Sequence, residues 1–216
     1  MRIRSDGQET RERILAAACH FFSQKGFHEA THEMICHEAD ANRAAINHHF
    51  GDKQSLYRVV WQHLLNAADS EYPVSGNLPE DSPATEKLEA HIRALLYRHF
   101  SQGASWQLER LRLLEHVSPT GMVDEIVSEH HDRNRKQMLS VLGELLGGVA
   151  SASAIQFYEV SLLGLCRGDW SSLQSMKSPT PKKAGIGRKR IEVLTGQINQ
   201  FLLQGIAAKV HQSQSN

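Results

Sequence analysis

The spacing of its apolar residues limits what this chain can fold into more than any other feature. Between Arg11 and Lys25 they fall at Ile14, Ala17, Ala18, Phe21 and Phe22, the three-and-four interval that lines one face of a helix. The interval returns at Leu56, Val59, Val60, Leu64 and Ala67, and again at Leu88, Ile92, Leu95, Leu96 and Phe100. No stretch gives way to the alternation of a strand. The predicted fold class is all-α, with about nine helices joined by short connections and no repeat of fixed period.

Punctuation supports that reading. Gly26 ends the first helix, because glycine alone takes a left-handed backbone cheaply. Thr31 is placed to cap a second helix, in which Met34, Ile35 and Ala39 face inward. Asn42 caps a third, short helix with Ala45 and Ile46 buried. The segment EYPVSGNLPEDSP (Glu71 to Pro83) is rich in proline and turn formers and marks a hinge. The expected division is an N-terminal helical module over 8–68 and a larger helical domain over 69–216. The second domain opens with Ser82 as cap and Pro83 at the first helical position.

Charge and cysteine content narrow the class. Lys and Arg total 24 and Asp and Glu total 24, so the chain is no general polycation. One segment, KSPTPKKAGIGRKR (Lys177 to Arg190), carries six basic residues and no acid; it reads as a solvated loop or as a contact for an acidic partner. Three cysteines, Cys19, Cys36 and Cys166, are too few for a disulfide framework and read as buried free thiols. No apolar run reaches spanning length, and the start lacks the apolar region of a leader. A reducing cytoplasm, with no membrane partner, is the expected location.

The segment from Thr31 to Lys53 holds four of the chain's thirteen histidines and raises the question of a metal. His32 and Cys36 are four apart, as are Glu33 and His37, but the two pairs point in different directions on one helix. Neither pair has further ligands at fixed spacing, and a zinc site needs three or four. No metal and no other cofactor is expected. The alternative is geometric: two short helices joined by a tight turn and buttressed by the first make a helix-turn-helix. The second of them presents Asn42, Arg43, Asn47, His48 and His49, several donors and no carboxylate, as a surface facing anions requires.

The run RERILAAACHFFSQKGFHEATHEMICHEADANRAAINHHFGDKQSLYRVVW resembles the N-terminal DNA-binding domain of TetR-family transcriptional regulators. The resemblance implies a double-stranded DNA operator as partner. It implies that Thr31 gives its hydroxyl and backbone N–H to a phosphate, and that Arg43, Ala44 and Asn47 face the major groove. By the same resemblance His48 contacts phosphate where the family often has a tyrosine, and Lys53 reaches phosphate from the start of the fourth helix. The family often carries aromatics where Asn47 and His48 stand, so weaker or pH-sensitive contacts are expected there. Residues 1–65 hold eight basic and eight acidic residues, so steering by net field is modest and local groups carry specificity.

Two apolar helices close the chain. They carry Ile155, Leu162 and Leu163, then Ile191, Leu194, Ile198, Phe201 and Leu202, more than one stripe. This fits either burial on several sides of their own domain or a homodimer interface, a four-helix bundle with the symmetry mate. The second is favoured, because a helix-turn-helix reads two half-sites about 34–36 Å apart through a two-fold dimer. The region RLRLLEHVSPTGMVDEIVSEHHDRNRKQMLSVLGELLG resembles the effector domain of the CecR-like subset of the family. That implies a small-molecule effector in a pocket, with Tyr97, His99, Arg112 and His116 as polar candidates and Trp106 and Phe157 as walls. The expected function is a homodimeric repressor released by that effector, and not an enzyme. The rivals are a metal-dependent hydrolase using the histidines and a helical interaction protein that does not touch DNA.

Overall fold

Helix boundaries follow from a few capping side chains and one glycine. The computed structural model describes residues 3–147, 150–168 and 187–214. Among these every regular element is helical: α1 (Ile3–Glu29), α2 (His32–Glu38), α3 (Arg43–Phe50), α4 (Lys53–Glu71), α5 (Ala84–Phe100), α6 (Ala104–Val117), α7 (Asp124–Leu145), α8 (Ala152–Arg167) and α9 (Arg188–Gln214). Gly26 interrupts α1 at φ 75° and ψ −178°, a conformation essentially closed to residues with a Cβ. Chain contacts gather the helices into two units, Met1–Ala68 with Gln102–Glu129, and Asp69–Ser101 with His130–Asn216.

The first unit is built around the aromatic and aliphatic stripe of α1 and α4. Ile14, Ala18, Phe22, Ile35, Ile46, Leu56, Val60 and Leu64 are fully enclosed, and Leu108 and Leu111 of α6 complete the same core. Each such large aliphatic side chain contributes roughly 1.5–3 kcal/mol on burial. Phe22, Phe27 and Tyr57 meet edge-on or stacked, with Phe22 and Tyr57 centroids 5.0 Å apart. Polar ties then fix α6 in place. Tyr57 Oη donates to Glu115 Oε2 at 2.7 Å, and Arg110 Nε donates to the Ser23 carbonyl at 3.2 Å. Burial, with the Glu115 carboxylate beside it, pushes the Tyr57 hydroxyl well above its ordinary value, so it stays a neutral donor.

The second unit packs α5, most of α7, α8 and α9 around Leu88, Ile92, Leu96, Met138, Leu142, Leu162, Cys166, Ile191, Leu194, Ile198, Leu202 and Ile206. Two side-chain ties cross it, one centred on Asp69 and one on Glu159. Arg98 NH2 donates to Asp69 Oδ1 at 2.8 Å, and His130 Nε2 lies 3.0 Å from Asp69 Oδ2. Arg135 grips the buried Glu159 carboxylate through both faces of its fork, Nε on Oε1 and NH2 on Oε2. Pro83, not Ser82, stands at the cap of α5 and no side chain bonds there. The proline ring fixes φ and supplies no donor, so the serine is not needed at that position. α9 runs on to Gln214, past the last apolar position. Of the basic segment, 177–186 lie outside the described residues, whereas Arg188–Arg190 open α9.

Candidate nucleic-acid interface

α2 and α3 are each started by a side-chain cap. Thr31 is extended (φ −97°, ψ 159°) and its Oγ1 accepts from Met34 N at 3.2 Å. Asn42 is extended likewise (φ −108°, ψ 167°), and its Oδ1 accepts from Ala45 N at 2.8 Å. Between them the turn passes through Asp40 at φ 45°, the left-handed region that Asp tolerates better than most residues. Arg13 locks that turn, its Nε donating to the Ala39 carbonyl at 3.0 Å. The angle between the two short helices is thus tied back to α1.

What this scaffold exposes is specific. Ile46 and Phe50 point into the core, while Asn42, Arg43, Ala44, Asn47 and His48 are exposed on the opposite side of α3. That helix carries no carboxylate. His49 is half-buried, its ring edge-on to His48 with centroids 4.8 Å apart. Thr31 is exposed; its oxygen is used as the cap acceptor, which leaves its hydroxyl hydrogen available to an anion. Lys53, half-buried, sets Nζ 4.6 Å from the centroid of the Phe27 ring and 3.5 Å from the His28 carbonyl, and partial burial draws its pKa down. Asp52, beside it, caps α4 by accepting from Ser55 N at 2.7 Å, so this carboxylate is engaged in its own helix.

His32, weighed from the sequence only as a metal ligand, is also a member of this neighbourhood. Its pKa is drawn below the ordinary imidazole value by partial burial first, then by the positive fields of Arg43 and Lys53. The available signal was its place directly after the capping threonine. Cys36, one turn on, is half-buried and feels Arg43 too, although burial dominates and raises its thiol. It is less enclosed than Cys19 and Cys166, which burial pushes up to about 12. Among the described residues no three of His, Cys, Asp and Glu converge as a metal site would require.

The six residues expected to line one effector pocket are not brought together within either unit. Trp106, Arg112 and His116 belong to the first unit and Tyr97, His99 and Phe157 to the second. Arg112 pairs along its own helix with Glu109 at 2.9 Å, His116 is exposed, and Trp106 lies under the Arg110 guanidinium at 5.3 Å. Phe157 is 66% exposed; residues at helical spacing on an amphipathic helix point outward as readily as inward. His99 is half-buried against Phe100. Tyr97 alone of the six borders a described cleft, of about 440 Å³.

The residues expected at a dimer interface also need correction. Leu162, Ile191, Leu194, Ile198 and Leu202 are at most 3% exposed within the single chain. They are interior residues of their own bundle and offer no surface to a second copy. Ile155 and Leu163 are half-buried, and Phe201 is 64% exposed. The apolar surface left on α8 and α9 consists chiefly of Phe157, Val160, Val193 and Phe201.

A three-helix head whose last helix is capped, acid-free and turned outward defines a helix-turn-helix DNA-binding regulator. The comparisons agree and go further. The model for bacterial regulatory proteins of the tetR family matches residues 14–60, and that for the C-terminal domain of the HTH-type transcriptional dual regulator CecR matches residues 84–206, more than half of the 216. The chain belongs to the TetR family, with a C-terminal domain of the CecR kind. The HTH-type transcriptional regulator UidR of Escherichia coli (strain K12) is 36% identical over 58 residues, 27% of this chain. That match spans only 30% of UidR's own length. Among solved structures, a TetR-like regulator from Rhodococcus sp. RHA1 superposes with TM-score 0.63 at 16% identity, covering 92% of this chain and 96% of that one. AibR, crystallised with isovaleryl coenzyme A and operator DNA, superposes with TM-score 0.64 at 14% identity, covering 90% and 96%. At these identities the likeness is one of fold.

Proposed function

We propose that this protein is a homodimeric repressor that holds a palindromic operator through α3 and leaves it when a small molecule binds the second unit. The observation that carries the reading is the outer face of α3, where Arg43, Ala44, Asn47 and His48 are exposed without an acid among them. Thr31, Lys53 and His49 flank that face as phosphate contacts, and His32 joins them. Phosphate contacts set the register, whereas the fork of Arg43 reads an edge in the major groove.

The dimer reading draws on the exposed apolar side chains of α8 and α9. Phe157 and Val160 are one turn apart on the first, and Val193 and Phe201 two turns apart on the second. Apolar side chains spaced in turns along two adjoining helices suit self-association by a two-fold axis. Ligand control needs a compound that binds the operator-incompatible form more tightly than the other; AibR, solved with a ligand and operator, is a precedent of the same fold.

The test is selection of duplexes from a random pool by the full chain, followed by titration of the selected operator. Arg43→Ala should lose about 1–3 kcal/mol and relax preference at one base pair. Equal loss on every sequence would make Arg43 a phosphate contact. Failure to enrich any sequence would refute the reading.

A further inference from the structure

Each ion pair among the described residues joins side chains at Asp69 or beyond. Over residues 6–68 the described Lys and Arg side chains pair with no carboxylate, although acids are as common there as bases. Several of these cations rest on neutral groups instead. Arg13 Nε donates to the Ala39 carbonyl at 3.0 Å, Arg58 Nε donates to the Met122 carbonyl at 3.1 Å, and Lys53 lies over the Phe27 ring. Arg11 belongs to the same set, its guanidinium carbon 5.0 Å from the centre of the Phe50 ring. The distinction matters to an approaching polyanion. A carboxylate partner cancels the charge it holds and has to be displaced before a phosphate takes its place. A ring face or a carbonyl fixes the side chain and leaves its full charge standing.

Sequence and packing both suit Arg11 to that use. Its neighbours one turn away on α1 are Gly7, Gln8, Ile14 and Leu15, none of them acidic. Glu12, next in the chain, accepts from Gln8 Nε2 at 2.8 Å. Phe50 is the last residue of α3 and only 7% exposed, so the core holds its ring and the seat is fixed. The same end of α3 carries the negative pole of the helix, which also favours a cation there. Arg11 is half-buried, and contact with a ring leaves the planar fork of N–H donors uncommitted.

We propose that Arg11 is a phosphate contact of the reading head, held on the face of Phe50 at the end of α3 opposite the Asn42 cap. Phe50 touches no DNA in this arrangement; it is a positioning residue that acts through Arg11. The pair sets register and strength, not sequence, since phosphates position and base edges specify. The inference rests on the reading that α3 lies against operator DNA, and it adds to that surface a cation from α1.

The experiment uses the full chain, the selected operator and a scrambled duplex of the same length, with anisotropy read across a salt series. Each neutralised phosphate contributes about 0.9 to the slope of log affinity against log salt. Arg11→Gln should lower that slope by about 0.9 per bound chain and weaken binding on the order of eightfold at about 0.1 M salt, equally on both duplexes. Arg11→Lys should restore the slope. Phe50→Leu should lose at least half of the same difference, and adding Arg11→Gln to it should then cost correspondingly less. Phe50→Tyr keeps a ring in the core and should keep the slope. In the free protein the Arg11 Cδ protons should stand upfield under the Phe50 ring current and return downfield in Phe50→Leu, a shift that loss of packing alone does not produce. A full slope in Arg11→Gln, or in a folded Phe50→Leu, overturns the proposal. A full slope in Arg11→Gln beside altered sequence preference in Arg43→Ala removes Arg11 and keeps the operator reading. A lowered slope in a protein that holds both duplexes equally keeps the Arg11 contact and removes the operator reading.

Discussion

Asn42 both starts α3 and stands at the proposed phosphate surface, and substitution can separate the two roles. Its Oδ1 accepts from Ala45 N at 2.8 Å, and its backbone carbonyl takes Ala45 N at 3.1 Å and Ile46 N at 3.3 Å. Asn42→Ala removes the side-chain acceptor and should cost about 1 kcal/mol of stability. Because α3 has only eight residues, fraying of its first turn disturbs Arg43 and Ala44 directly. Operator affinity should then fall by up to about fivefold, the equivalent of the same 1 kcal/mol. Asn42→Asp behaves differently. The carboxylate remains a good cap and is favoured at a helix N-terminus, so stability should stay within about 0.5 kcal/mol of the parent. Set about 6 Å from a phosphate, however, its charge costs roughly 0.7–2.8 kcal/mol between water-like and surface dielectrics, a loss of about three- to a hundredfold. Urea unfolding gives the first quantity and operator anisotropy the second, with salt weakening the Asp penalty. If Asn42→Asp binds operator as tightly as the parent, the start of α3 does not face DNA and the interface is wrong.

Three further outcomes follow from exposure and burial. Phe201→Glu should convert a dimer to a monomer in light scattering with helicity retained, since that ring is 64% exposed, whereas Leu202→Ala, 1% exposed, should lose about 2–5 kcal/mol of stability in urea; a monomeric parent would remove the dimer reading. His91, 6% exposed, is lowered from 6.5 to about 4 by burial and then by the Arg98 charge. The unfolded chain therefore takes up the proton first, so this stability is whole above pH 6.5 and is lost as the pH falls toward 4, by about 3 kcal/mol in all. His91→Leu should flatten that slope in urea unfolding between these limits; an unchanged slope would assign it to another group.

Much of the first unit was legible because its determinants are local. Thr31 and Asn42 cap within three residues of themselves, Gly26 acts through its own φ, and the buried positions Ile35, Ala39 and Ile46 follow a short period. The second unit was less legible because a helix with apolar residues on several sides does not say which side meets its own bundle. Leu162, Ile191 and Leu194 went inward and Phe157 and Phe201 outward, a choice made largely by α5, far off in sequence. Glu159 and His130, buried at 5% and 4% exposure, look like surface residues until Arg135 and Asp69 are placed beside them. The cleft bordered by Tyr72 and Tyr97 depends on a contact across a proline-rich connection, which no periodicity reports.

The carboxylate of Asp69, held by Arg98 on one oxygen and His130 on the other, carries a consequence for how this lineage can drift. Losing Asp69 alone leaves Arg98 and His130, both largely shielded, without the carboxylate they share, and breaking such a trio from one side is the costly way to change it. Replacing all three by fitted hydrocarbon is far cheaper. These positions should therefore change together or not at all, and descendants lacking the aspartate should have surrendered the arginine and histidine with it.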